Sequence, residues 1–174
     1  MLNDRLIAAF NEIGFDEYKE ITVEDIIFSQ DVFDQCARNT CGNFGKNHAC
    51  PPKAGTEEER KARVLKYQHG FLISKIVPIK SRQEMVTSME TIDRINKTLR
   101  KIFSEDDVFI MGAGACTLCE TCTALEEKPC RFPDKTQYSM EGSGIDVVSM
   151  SMNKQMTYNA GQGKVGYFTL VLYN

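Results

Sequence analysis

Seven cysteines fall in two short stretches of this 174-residue chain, and they are the residues whose types and spacing point to chemistry. In the second stretch Cys116, Cys119 and Cys122 form a C-x2-C-x2-C run, and Cys130 follows after seven intervening residues. A tight coil with a thiolate at every third position presents three sulfurs to a wide, soft inorganic core. Zinc is a smaller target. Zn–S bonds of about 2.3 Å set its sulfurs only ~3.8 Å apart, which a single C-x2-C turn already provides. A third Cys at the same spacing therefore favours an iron–sulfur cluster, [4Fe-4S] in type, with zinc as the alternative. The cofactor expectation is one or two such clusters, and Cys116, Cys119, Cys122 and Cys130 are the ligands of the first centre.

The same run occurs in bacterial ferredoxins, from which this chain departs twice. Seven residues rather than three precede the last Cys, and Pro129 lies before Cys130 instead of after it. An ordinary two-cluster ferredoxin domain is thereby disfavoured, while four thiolates remain for one cluster. The first stretch holds Cys36, Cys41 and Cys50, followed by Pro51 and Pro52, which remove N–H donors and stiffen the chain. These three thiolates are the candidate ligands of a second centre. Its fourth position would fall to water, substrate or another side chain, of which His48 is the nearest. A lone His in a polar loop is more often a surface residue. With His48, the stretch also reads as a structural Cys3His zinc site, and one site shared by both stretches is a further alternative.

Weaker signals surround the thiols. Gly112-Ala113-Gly114 lacks the third glycine and the helix of a dinucleotide-binding fingerprint, so it reads as a close approach of backbone to metal. Gly42, Gly45 and Gly114 suit the same purpose, since N–H groups near cluster sulfurs raise the reduction potential. Lys128 and Arg131 flank Cys130, either offsetting the charge of a thiolate-bound cluster or simply solvated. Ser139 reads as a cap, and Glu141 and Asp146 on the glycine-rich turn behind it are the only acids suggestive of a substrate pocket. Gly161-Gln162-Gly163 reads as a turn before the last strand.

Composition narrows the setting. The net charge is −3, with no run of Lys and Arg to meet nucleic-acid phosphates. The longest apolar stretches, such as Phe71–Leu72–Ile73, are far too short to span a bilayer. The first ten residues carry an early acid and lack the apolar core of a signal peptide. A cytoplasmic location, with no nucleic-acid or membrane partner, is the expectation. Thiols stay reduced there and their number is odd, so disulfides are the weaker reading.

The elements that must position the cysteines follow from periodicity. Leu2, Leu6, Phe10 and Ile13 predict a short amphipathic helix closed by Gly14, within an N-terminal appendage of residues 1–20. Residues 20–28 lean to strand. Thr56–Glu59 and Ser81–Glu84 are capping boxes. They open helices reaching about Gln68 and Phe103, the second with Met85, Met89, Ile92, Leu99, Ile102 and Phe103 on one apolar face read as core. Strands are predicted over 71–79, 107–111 and 164–173, with a helical turn or two within 143–152. The expectation is a single α+β domain over residues 1–174. Its sheet is mostly antiparallel and ferredoxin-like, with helices on one face and Cys loops at 36–52 and 114–133; a doubly wound α/β sheet is the alternative.

The motif order is specific. Cys36…Cys41-Gly42…Cys50-Pro51-Pro52, Cys116-x2-Cys119-x2-Cys122, Pro129-Cys130-Arg131, Ser139-Met140-Glu141…Gly144-Ile145-Asp146 and the closing strand Tyr167–Leu172 occur in that order. Over Ile21–Asn174 the chain resembles the predicted metal-binding proteins catalogued as domain of unknown function 2284. The resemblance implies an anaerobic source and cysteines that bind metal; it implies no reaction. Three functions are open at this point. One is a small carrier passing electrons to a redox partner protein or small molecule. Another is an enzyme using an open iron of the three-Cys cluster. The third is a zinc-stabilised interaction module without catalysis.

Overall fold

The computed structural model describes residues 1–174. Four strands form one open antiparallel sheet in the order β1-β2-β4-β3: β1 (Glu17–Thr22), β2 (His69–Pro78), β3 (Val108–Met111) and β4 (Lys164–Tyr173). Five helices accompany it: α1 (Leu2–Ile13), α2 (Gln30–Gln35), α3 (Glu57–Leu65), α4 (Arg82–Ile102) and α5 (Val147–Asn153). The class is α+β. β2 and β3 are each antiparallel to β4, which lies between them, so β2–α4–β3 is a split β-α-β unit. β4, α1 and β1 complete the second such unit across the chain ends. The plan is ferredoxin-like with its termini moved, and the ends do meet: the Asn3 amide donates to the Tyr173 hydroxyl at 3.2 Å.

Both faces of the sheet are buried, because alternate residues of β2 and β4 are apolar in both phases. Phe71, Ile73 and Val171 point to one face, where Leu6, Ala9 and Phe10 of α1 and Leu99 of α4 cover them together with Phe103. Leu72, Leu170 and Leu172 point to the other, under Val64 of α3, Met150 of α5 and the segment carrying Met140 and Ile145. The two capped helices thus lie on opposite faces, and α1, expected as an appendage, is the partner of α4. Complete burial of Leu6 and Phe10 is worth roughly 1.5–3 kcal/mol each. Gly70 is required where β2 passes β4, since a Cβ there would stand 2.6 Å from the Val171 carbonyl oxygen.

Element ends follow local chemistry. The Thr56 capping box closes with both of its bonds. At Ser81 the hydroxyl accepts from the Glu84 N–H, but the Glu84 carboxylate accepts from Lys80 N rather than Ser81 N. α3 stops at Leu65, short of the expected Gln68, and β2 begins two residues early at His69. Residues 20–28 split into the end of β1 and a 3-10 turn at Val23–Asp25.

One expectation fails on α4. Ile92, Leu99 and Phe103 are core, but Met85, Met89 and Ile102 are 43%, 54% and 46% exposed. β3 is four residues long, about 13 Å at strand rise, whereas the 21 residues of α4 run ~31 Å. The N-terminal half of α4 therefore outruns β3 and faces the segment leaving it, Gly112–Thr117. No helix is long and apolar enough to cross a membrane.

Candidate metal centre

The two cysteine stretches lie against each other beyond the end of β3. α2, capped by the Ser29 hydroxyl accepting from Val32 N, delivers Cys36 at its C-terminus. Asn39 then turns the chain in the left-handed region at φ 54°, and its side-chain oxygen accepts from Phe44 N. The Gly45 N–H donates to the Pro51 carbonyl at 2.8 Å and closes the loop, so that Cys36, Cys41 and Cys50 feel one another's charge. Cys50 is buried, Cys36 half-buried and Cys41 exposed.

The second stretch leaves β3 through Gly112 and folds over the first. Cys116, Cys119, Cys122 and Cys130 line one narrow cleft together with Asn47, His48 and Thr136. Three clasps bind loop to loop. The buried Asn47 amide donates to the Cys116 carbonyl at 3.0 Å, His48 Nε2 meets the Lys128 carbonyl at 2.9 Å, and Lys53 pairs with Glu127 at 3.0 Å. His48 is thus committed to a carbonyl, with Thr123 Oγ1 also at 3.3 Å, and serves as a strut between loops. Arg131 donates to the Thr121 carbonyl and lines the cleft, whereas Lys128 pairs with Glu126 at the surface.

All seven cysteines are free thiols. Burial, then the negative neighbours Cys41, Cys36, Cys116 and Cys122, pushes the Cys50 thiol up to about 11. Cys36 is raised by burial, then by Cys41 and Glu141. Cys50 thus feels thiols of both stretches and sits at their junction. The Cys116 sulfur accepts from Gln137 N at 3.4 Å, and the Cys130 sulfur meets Thr136 Oγ1 at 3.5 Å. None of the backbone N–H groups of Cys116 or Leu118–Cys122, apart from Thr117 N bound to Gln137, donates to a protein acceptor. No three Cys, His, Asp or Glu side chains converge at the spacing of a single ion. The donor set suits a soft metal: thiols from one loop share a cleft, and unspent amides can meet added negative charge.

Glu141 reaches this region by a tight approach. A Cβ on Gly142 would lie 2.7 Å from Ser139 Oγ and 3.3 Å from the Ala49 carbonyl, so glycine lets the turn press on the Cys50 loop. Ser139 Oγ accepts from Gly142 N at 2.9 Å, but the residue that caps the 3-10 turn is Met140, so Ser139 lies one position before the expected cap. Burial raises the Glu141 carboxyl, opposed by a hydrogen bond from its own backbone N–H, and Glu141 lines a cavity of about 460 Å3 with Gln35 and Asp31. Asp146 lines the same cavity and caps α5, accepting from Ser149 N at 3.0 Å. Behind the loop, the buried Arg60 stacks 3.5 Å over Phe33 and donates to the Gly55 carbonyl; Arg63 stacks 3.4 Å over Tyr138 and donates to that of Ala54. Asn47, Arg60 and Arg63 had no signal in the sequence, because their roles depend on partners distant along the chain.

These features define an α+β protein whose end-of-sheet loops bring soft-metal donors together. The chain belongs to the family of predicted metal-binding proteins designated domain of unknown function 2284, whose model matches residues 19–173. Searches of curated proteins and of solved structures give no match.

Proposed function

We propose that this protein is an iron–sulfur redox carrier. Cys116, Cys119, Cys122 and Cys130 would hold one [4Fe-4S] cluster and Cys36, Cys41 and Cys50 a second centre. The observation that carries the reading is the narrow cleft shared by four thiols, set in a loop whose N–H groups are largely unspent. Such a cluster supplies one-electron reduction and oxidation. The chain's own part is to hold the sulfurs, offer N–H groups to negative charge, and exclude water where Cys50 is buried. Arg60 and Arg63 are desolvated behind the Cys50 loop, where Glu57 and Glu59 respectively offset part of their charge.

A second reading gains support from Glu141. Three thiolates leave one corner free, and the cavity lined by Glu141 and Gln35 lies on the Cys36 side of that centre. There a small substrate would meet the metal beside a carboxyl that burial keeps protonated to higher pH. The test is anaerobic reconstitution followed by visible and electron paramagnetic resonance spectra. Cys119→Ser is expected to remove one signal and Cys36→Ser the other; loss of the same signal in both variants contradicts two centres. A spectral change on adding small thiols or carboxylates, abolished in Cys36→Ser, favours the open-corner enzyme over the carrier.

A further inference from the structure

Away from the thiols, a cleft of about 250 Å3 opens between the Met89–Arg100 stretch of α4 and the Gly112–Thr117 segment. It arises where α4 outruns β3, and its lining is largely apolar with a few polar side chains. Arg100 lines it, donating from one nitrogen to the Ile110 carbonyl at 3.0 Å and to no other protein atom. Asn96 is 4% exposed; its oxygen accepts from Thr169 at 2.9 Å, while its amide nitrogen donates to nothing. The N–H groups of Ala113, Gly114 and Ala115 are likewise unspent.

Asp93 acts on the Arg100 guanidinium through its charge but accepts none of its N–H groups. Asp93 accepts from Thr117 Oγ1 at 2.8 Å and pairs with Lys97 at 2.9 Å. Glu90 is exposed on the cleft wall and has no ion pair. The free N–H groups of this desolvated guanidinium and the unpartnered Asn96 amide nitrogen border the cleft, where an anionic acceptor with two oxygens would meet both.

We propose that this cleft binds a small carboxylate, and that an amino-carboxylate fits best. The carboxylate would lie inward on Arg100 and Asn96, and the ammonium outward toward Glu90. The volume lies below the usual range of roughly 300–1,000 Å3 for ligand pockets, which restricts the ligand to a few carbons. The site shares Thr117 and Ala115 with the loop that carries Cys116, yet uses no thiol, so it stands whether or not that loop holds metal.

The test is calorimetric titration of the full chain, metal-free and reconstituted, with L-alanine, propionate, isopropylamine and propionamide. L-alanine and propionate are expected to bind both forms, with the amine and amide at least tenfold weaker. Arg100→Met weakens both acids about tenfold or more, the scale of a lost charge-assisted pair. Glu90→Gln weakens L-alanine alone. Because Arg100 also ties α4 to β3, so that its loss weakens the fold as well, Met89→Trp provides an independent variant: it fills the mouth and abolishes binding with the melting temperature unchanged. The proposal is overturned if neither acid binds, if the amine or amide binds as well as the acids, or if Met89→Trp binds like the parent.

Discussion

In the metal-free chain Cys50 is expected to be the slowest thiol to alkylate, and the pH dependence of its rate identifies why. Burial, reinforced by four cysteine neighbours, moves it from an ordinary 9.0 to about 11. Only the thiolate attacks an alkylating reagent. At pH 8 a thiol of pKa about 9 is roughly one-tenth ionised and one of pKa about 11 roughly one-thousandth, a ~100-fold difference in rate. Between pH 8 and 10 an ordinary thiol gains about tenfold, as its ionisation nears completion, while Cys50 gains nearly a hundredfold. Pulse labelling with iodoacetamide, read by peptide mass spectrometry against an unstructured single-cysteine peptide as reference, measures both. Shielding alone would slow Cys50 by the same factor at each pH, so the two causes separate. A Cys50 rate within about threefold of that peptide at pH 8, or an equal pH response, would refute the reasoning. The same proton affects stability. The folded chain keeps it to higher pH than the unfolded chain, so this contribution is full below pH 9 and is lost as pH rises toward about 11.

Two further outcomes follow from the packing around the site. Gly142→Ala places a Cβ against Ser139 Oγ, which is itself held by the Gly142 N–H, and against the Ala49 carbonyl. A cost of about 1–3 kcal/mol, or roughly 3–10 °C in Tm, is expected in thermal unfolding, with reduced metal loading; an unchanged Tm would mean the Glu141 turn does not press on the Cys50 loop. Asp25 is held below its ordinary value first by its hydrogen bond to Lys154, at 2.8 Å, opposed by burial. That pair ties α5 to the turn after β1 and stabilises the fold above about pH 4, the contribution being lost as pH falls further. Lys154→Met should flatten this part of the Tm–pH curve by up to ~1 kcal/mol; a parent-like acid limb would show that Lys154 is not the cause.

Much of the frame was legible in the residues because its causes are local. Alternation in 71–79 marked β2, richness in Val, Tyr, Phe and Leu over 164–173 marked β4, the Thr56 box opened α3, and Gly14 ended α1 in the left-handed region at φ 86°. α2 went unread, since six residues contain too little period even with Ser29 as cap. The exposure of Met85 and Met89 depends on the length of β3 relative to α4, which no window along α4 contains. At the site, cysteine spacing indicated which residues matter, but not that Asn47 and His48 clasp the two loops or that Cys50 stands between them. Those facts arise from contacts across some seventy or more positions of chain, such as that of His48 with Lys128.

The central claim is that these thiolates grip an inorganic cluster, and acid-labile sulfide measured with iron and zinc per chain after anaerobic purification tests it most directly. The account predicts sulfide and iron each near four, or near eight if both centres fill, with zinc substoichiometric. Stoichiometric zinc without sulfide, persisting after anaerobic reconstitution with iron and sulfide, would contradict it.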